Sequence, residues 1–264
     1  MKKRMAMFNI EVFDIKLDTD FIGRHFIYTD EIDSTNLFLL NKSSKFNTNG
    51  TVILAEKQSK GRGRNEKVWY SAKDQNLTFS ILINSKKYLN NNFNLINFCS
   101  SLSVALAIEN LYQLKTVLKW PNDVLINGKK VAGILLESTS LGNKLEKLVI
   151  GIGININQTS FQGNFAIVPT SVRVELNGRP ADRERTLAEI LNIFEEHLLK
   201  LENNPAEILD DWRLKCRMIG EKIAVTEGES IKYGIFEDVD EEGYLLLKSK
   251  GKIEKIHFGD VSLR

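Results

Sequence analysis

Cysteine and histidine are scarce in this chain. Among 264 residues there are two cysteines, Cys99 and Cys216, and three histidines, His25, His197 and His257. Two distant cysteines make no disulfide scaffold and suit a reducing compartment. The histidines stand far apart without ligand-like spacing, which argues against a structural zinc site. No apolar run is long enough to cross a bilayer. Met1–Arg4 is basic, but Glu11 and Asp14 interrupt what would be a signal-peptide core, so the expected location is the cytoplasm. Strong charge of either sign is also missing. The formal net charge is +2, so bulk attraction to nucleic acid is weak and only local basic clusters remain available. The segment before Phe26 is too short for a helix-turn-helix module, which needs several helices.

What is present is a chain of 42% hydrophobic composition, enough for one large domain and a small one. Thr51–Ile83 stands at its centre: a short apolar run, a basic loop, then an alternating apolar run. The loop holds Lys57, Lys60, Arg62, Arg64, Lys67 and Lys73, interrupted by Gly61 and Gly63 and followed by Trp69. Strand–loop–strand is the expected arrangement, and the two glycines let the backbone approach a ligand closely. The charges suit phosphate; a solvated surface loop is the other reading. The loop is neither G-x-x-x-x-G-K-[ST] nor G-x-G-x-x-G, so a nucleotide must be held some other way.

Upstream, Met5–Leu17 reads as an edge strand. Asp33 or Ser34 can cap a helix beginning near Leu37; alternatively, the Ser34 and Thr35 hydroxyls hold a small neutral polar group. Asn84–Asn94 reads as a loop and Ile96–Leu111 as a helix, with Cys99 buried inside it. Val117–Glu137 contains a strand ended by Pro121, then strands over Val124–Ile126 and Val131–Leu136. Asn127-Gly128 between them signals a hairpin, which puts Lys129 and Lys130 at the base of a rigid strand. Asn122 and Asp123 supply oxygens beside these lysines, a plausible place for magnesium with phosphates. Leu148–Asn157 is a buried strand carrying Gly151 and Gly153, which calls for something packed tightly on its backbone; Asn155 ends it. Val168–Val174 reads as a return to the sheet edge. Asp182–Leu201 is the clearest helix, with Glu195, Glu196 and Glu202 on its wet face and His197 beside the apolar stripe. Ile208–Leu214 is a short closing helix. From Glu221 onward short strands follow one another, as in a compact barrel that docks on the larger domain.

Gly61-Arg62-Gly63-Arg64 with Trp69, Lys119-Trp120-Pro121-Asn122-Asp123, Lys130-Val131-Ala132-Gly133-Ile134-Leu135 and Gly151-Ile152-Gly153-Ile154-Asn155 together resemble the bacterial biotin protein ligases. Asp33-Ser34-Thr35-Asn36 sits upstream at the family's spacing, and Val261–Arg264 resembles the end of the family's small domain. The resemblance runs from about Phe26 to the C-terminus. It implies an α/β (α+β) fold: a mixed sheet backed by helices, of the class II aminoacyl-tRNA-synthetase-like kind, over residues 1–216. An SH3-like barrel over 217–264 completes it. It also implies the short class without an N-terminal DNA-binding domain, a partner in the carboxyl carrier domain of a biotin-dependent carboxylase, no DNA or membrane, and a possible homodimer.

By the same resemblance, biotin and ATP form biotinyl-5′-adenylate, and the biotin then passes to a carrier lysine. Lys130, Arg62 and Arg64 carry the catalysis. Ser34, Thr35, Gln58, Gly61, Arg62, Lys130 and Gly133 line the biotin site. Arg62, Arg64, Trp69, Lys119, Asn122 and Asn155 hold the ATP or adenylate, and Asp123 with Asn155 orients magnesium. Glu66 and Lys67 depart from the repressor-type loop, which has glycine and arginine there, so altered loop dynamics or adenylate retention is expected. Three rival readings remain: a lipoate ligase with the same adenylating logic, a nucleic-acid-binding module built on the basic loop, and a non-catalytic adapter.

Overall fold

The computed structural model describes residues 7–41, 46–65, 67–89, 93–142 and 144–263. Glu66, Met1–Arg4 and Arg264 lie outside the described residues. In chain order the elements are α1 Ile10–Lys16, β1 Phe26–Ile32, α2 Thr35–Leu40, β2 Val52–Gln58, β3 Leu77–Ile83, α3 Lys86–Leu89 and α4 Phe93–Tyr112. They continue with β4 Thr116–Lys119, β5 Asp123–Ile126, β6 Lys129–Leu141, β7 Lys144–Ile154, α5 Val172–Glu175, α6 Arg183–Asn203 and α7 Pro205–Lys215. The last strands are β8 Lys222–Glu227, β9 Ser230–Val239, β10 Leu245–Ser249, β11 Lys252–Ile256 and β12 Asp260–Leu263.

Seven strands form one sheet in the order β1-β2-β3-β7-β6-β5-β4. Only β1 and β2 run parallel; every other neighbouring pair is antiparallel. The β5–β6 turn is the two-residue hairpin that Asn127-Gly128 foretells, with φ of 50° and 75°. Along β3 every residue is buried, so its alternation does not separate a wet face from a dry one. The reason is coverage on both sides. The main core packs Leu77, Phe79 and Ile81 with α4, α6 and α7. On the other face Leu39 of α2 joins Ile53, Leu82 and Val149 in a small second cluster.

Helix α4 is long and apolar enough to cross a membrane by composition, but most of it is buried between the sheet and α6 and α7. Phe98 of α4 stacks on Trp212 of α7, with ring centroids 4.2 Å apart. Cys99 and Cys216 are both free and buried. Burial pushes both thiols up, Cys216 to about 11, so neither is a thiolate near neutral pH. Native protein is therefore expected to resist a thiol reagent at pH 7.5, while unfolded protein takes up two equivalents, as mass spectrometry would count.

Several expectations are corrected. Of the stretch Met5–Leu17, whose first two residues lie outside the described ones, Ile10–Lys16 forms a helix, not an edge strand. Asn9 caps α1 by accepting from the Val12 amide at 3.1 Å, and Phe13 and Leu17 turn inward while Ile10, Val12 and Ile15 stay exposed. Val168–Val174 does come back to the sheet, but through one parallel bridge at the start of β6 and not as a strand. Pro169 makes one bridge to Lys130, and Ser171 then caps the short α5. The Asn-rich stretch after β3 contains the short α3. Glu195 is not on a wet face: it is buried, and its carboxylate accepts from the backbone amides of Asp20, Phe21 and Ile22. His197 is buried beside Ser103, and burial lowers its pKa, consistent with packing.

The C-terminal strands form an antiparallel sheet in the order β11-β10-β9-β8-β12. Among the described residues β11 and β12 do not pair with each other, so the sheet is open and not a closed barrel. It lies against the larger sheet's end: Trp120 Nε1 donates to the Gly243 carbonyl at 3.2 Å.

Candidate active site

A cleft of about 1030 Å³ opens where β2, β3, β6 and β7 meet the loop after β2, the segment after β7 and strand β12. The segments singled out in the sequence converge on it. The glycine loop folds back on itself. Trp69 N donates to the Gly61 carbonyl at 3.0 Å, Gly63 N donates to the Lys67 carbonyl at 2.6 Å, and Arg62 bridges Val68. A Cβ on Gly61 would lie 2.3 Å from the Trp69 carbonyl oxygen, so the doubled-back path requires glycine there.

Lys130 opens β6, where its backbone bonds to Val168 and Thr170. Its Nζ lies 2.5 Å from Asp123 Oδ1 and 5.7 Å from the centre of the Trp69 ring. Arg62 reaches across the cleft to Glu137, with Nη2 2.7 and 2.9 Å from the two carboxylate oxygens. Arg64 points the other way: it donates to Asn122 Oδ1 and to the Gly259 carbonyl, each at 3.3 Å, and lies 3.8 Å from Asp260. Asp260 also takes Lys67 Nζ at 2.5 Å, so a carboxylate from the C-terminal sheet clasps the basic loop. Burial alone would raise the Asp260 carboxyl, but Lys67, Arg64 and Lys119 together hold it below the ordinary carboxylate range. The clasp is therefore intact at neutral pH and is lost only as pH falls through that lowered pKa. Lys119 also lines the cleft, and burial pushes its pKa down.

Neutral groups line the cleft as well. Thr35 donates to Gln58 Oε1 through its amide at 2.7 Å and its hydroxyl at 3.0 Å. Ser34 caps α2, accepting from Leu37 N at 3.5 Å, and also lines the cleft; Asp33 is not the cap and binds Ser59 and Lys60 instead. Asn122 is tied to Ile134 in both directions, at 2.6 and 3.0 Å. Asn155 Nδ2 donates to the Thr170 carbonyl at 2.9 Å. Gly133 packs on Lys130 and Trp69. Trp69 Nε1 is buried with no partner among the described residues. No group of three or more His, Cys, Asp or Glu residues able to hold a metal occurs among the described residues.

The glycines of β7 are explained by side chains from elsewhere. A Cβ on Gly153 would lie 2.3 Å from the Trp69 indole, and one on Gly151 would lie 2.4 Å from Asn36 Oδ1. Asn36 is buried and hydrogen-bonded to Ser80, Leu135 and Glu137, so it has nowhere to retreat. Gly151→Ala is therefore expected to destabilise the fold by about 1–3 kcal/mol, read from urea unfolding. The sequence reading missed Glu137 and Asp260 as parts of the site. Neither stands in a charge pattern of its own, and only the arginines that reach them could have marked them.

The biotin/lipoate A/B protein ligase family model matches residues 28–155, and the biotin protein ligase C-terminal domain model matches 218–264. The chain is similar to the bifunctional ligase/repressor BirA of Bacillus spizizenii, 32% identical over 94% of this chain and 76% of that protein. It is likewise similar to the biotin–[acetyl-CoA-carboxylase] ligase of Paracoccus denitrificans, 32% identical over 82% of this chain and 91% of the other. Among solved structures, the biotin protein ligase of Aquifex aeolicus in complex with biotin and ATP superposes with a TM-score of 0.79 at 32% identity, covering 91% of this chain and 99% of that one. The chain belongs to the biotin protein ligase family.

Proposed function

We propose that this protein activates biotin with ATP and passes it to a lysine of a carboxylase's carboxyl carrier domain. The observation that carries the reading is a single cleft lined both by cations and by neutral hydrogen-bonding groups. Lys130, Arg62 and Arg64 line it together with Ser34, Thr35 and Gln58. A biotin carboxylate and an α-phosphate need the first; a ureido head group needs the second.

In the first step a biotin carboxylate oxygen attacks the α-phosphorus of ATP. An O–P bond forms, the bond to pyrophosphate breaks, and the acyl group gains adenylate as a leaving group. Negative charge on the phosphoryl oxygens is met by Lys130 and by Arg62. Arg64, Trp69, Lys119 and Asn122 wall the nucleotide end, while Gly61 and Gly133 let backbone come close. In the second step the neutral amine of the carrier lysine attacks the acyl carbon, AMP leaves, and the amine loses a proton. Magnesium fits the oxygens on hand, since it takes one or two protein ligands and completes its shell with phosphates and water. Asp123 and the oxygen of Asn155 would hold it, and bound there it would offset triphosphate charge. We assign residues 1–216 to catalysis and 217–264 to a C-terminal domain that adds Asp260 to the cleft. A cytoplasmic location, with no DNA or membrane partner, accords with this substrate set, and a homodimer is compatible with it.

The test is to incubate pure protein with ATP, magnesium and biotin, with lipoate in parallel, and to look for a retained adenylate by native mass spectrometry. Biotinyl-adenylate, discharged when a biotin carrier domain is added, is the expected result. An adenylate with lipoate alone would move the substrate to lipoate. No adenylate from folded protein would overturn the enzymatic reading.

A further inference from the structure

Arg62 holds its place through one carboxylate, and that carboxylate is itself held. Glu137 uses both oxygens on Arg62 Nη2 and leaves Nη1 and Nε without a partner among the described residues. Glu137 Oε2 accepts from Asn36 Nδ2 at 2.8 Å, and the same nitrogen donates to the Leu135 carbonyl at 3.2 Å. Asn36 Oδ1 accepts from Ser80 Oγ at 2.6 Å, and Ser80 lies 2.7 Å from Thr35 Oγ1, itself 3.0 Å from Gln58 Oε1. Ser80 has one proton, so when it donates to Asn36 it must accept from Thr35. Thr35 then gives its one hydroxyl proton to Ser80 and holds Gln58 through its amide at 2.7 Å, and the side-chain bonds run on from Thr35 through Ser80, Asn36 and Glu137 to Arg62. An ordinary surface ion pair needs none of this scaffolding and contributes little, about 0–1 kcal/mol. Here a buried amide, seated in space that only Gly151 leaves open, fixes the carboxylate's direction.

We infer that Glu137 is a positioning residue: it aims the Arg62 guanidinium into the cleft and leaves its Nη1 and Nε for the adenylate's oxygens. The inference rests on the adenylating function proposed above. Glu137 does not touch the ligand; it acts through Arg62, and Asn36 acts through Glu137. Its charge also keeps the arginine paired while the cleft is empty, so the fork does not swing into solvent between turnovers. A planar guanidinium carries five N–H donors in fixed directions, so with Nη2 on Glu137 it can still bond a second anion through Nη1 or Nε, a fixed arrangement that a lysine does not offer.

The experiment is a double-mutant cycle on retention of the intermediate. Wild type, Glu137→Gln, Arg62→Ala and the combined variant are loaded with biotin, ATP and magnesium. Loss of adenylate is then followed by native mass spectrometry after dilution, with a melting curve for each protein. Glu137→Gln is expected to lose adenylate about tenfold faster than wild type with an unchanged melting curve. Adding it to Arg62→Ala should change the rate less than twofold, because its target is already gone. Glu137→Asp, which keeps the charge but is one methylene shorter, should fail to restore retention and guards against an effect of charge alone. Retention by Glu137→Gln equal to wild type, or losses that multiply in the combined variant, would overturn the inference while leaving the ligase function intact. Wild-type protein that forms no adenylate would overturn the function itself, and the inference with it.

Discussion

Lys130→Ala is expected to lower the rate of adenylate formation by about 10²–10³-fold, the loss seen when one preorganised charge-stabilising donor is removed from a reacting centre. The size follows from where the ammonium is held. Lys130 sits on the first residues of a strand, its backbone tied on one side to β5 and on the other to Val168 and Thr170. Its side chain is walled by Trp69 and Gly133 and paired with Asp123 at 2.5 Å. Such a group moves little as charge develops on the phosphoryl oxygens, so its attraction is not spent on reorganisation. Lys130→Arg should not restore the rate, because a planar fork does not occupy the place of a compact point charge beside Asp123. The measurement is the pyrophosphate burst on mixing with biotin and ATP, alongside a melting curve. A normal burst from folded Lys130→Ala would assign the stabilising charge elsewhere, with Arg62 the next cation in the cleft.

Such a variant should still fold, because what holds Lys130 in place is the backbone around it, and that part of the site was readable in the sequence. Asn127-Gly128 dictates the hairpin by local chemistry alone, and the strand after it follows. Helix α6 was equally plain, since its stripe repeats over many turns and Asp182 caps its start. The two glycines of β7 announced that something approaches the strand closely. They did not say what, because Asn36 and Trp69 arrive from separate elements and no local pattern ties them to β7. The same limit explains Glu195. A glutamate on a helix reads as solvent-facing until the segment at Asp20–Ile22 brings it three amides to bind. It explains Met5–Leu17 as well, where the exposed Ile10, Val12 and Ile15 blur the helical stripe of Phe13 and Leu17. Residues that act through neighbours in sequence were legible. Those that act through distant partners, Glu137 and Asp260 among them, became visible only when the strands were in register.

The largest expected effect on stability comes from such a distant pair. Glu56→Ala should destabilise the fold by about 3–5 kcal/mol. Glu56 lies on β2 and Arg183 on the first turn of α6, and both are buried. Arg183 Nη1 and Nη2 meet the two carboxylate oxygens at 2.5 and 3.0 Å, and Nη1 also reaches the Asn76 carbonyl at 3.2 Å. Tyr28 donates its hydroxyl to the same carboxylate at 2.8 Å, and burial together with that carboxylate pushes the phenol up. Removing Glu56 leaves a guanidinium in the core with its main counter-charge gone and orphans the Tyr28 hydroxyl, which is why the loss exceeds anything the pair itself contributes. Replacing both charges, as in Glu56→Leu with Arg183→Met, should recover much of the stability, because the penalty lies in the buried charge left behind and not in the missing bond. Urea unfolding of the single and double variants decides this. A single variant as stable as wild type would mean that water or another carboxylate reaches Arg183, and a double variant no better than the single would place the loss in packing. Because β2 continues directly into Gln58 and the glycine loop, a shift of this strand would carry that neutral part of the cleft lining with it.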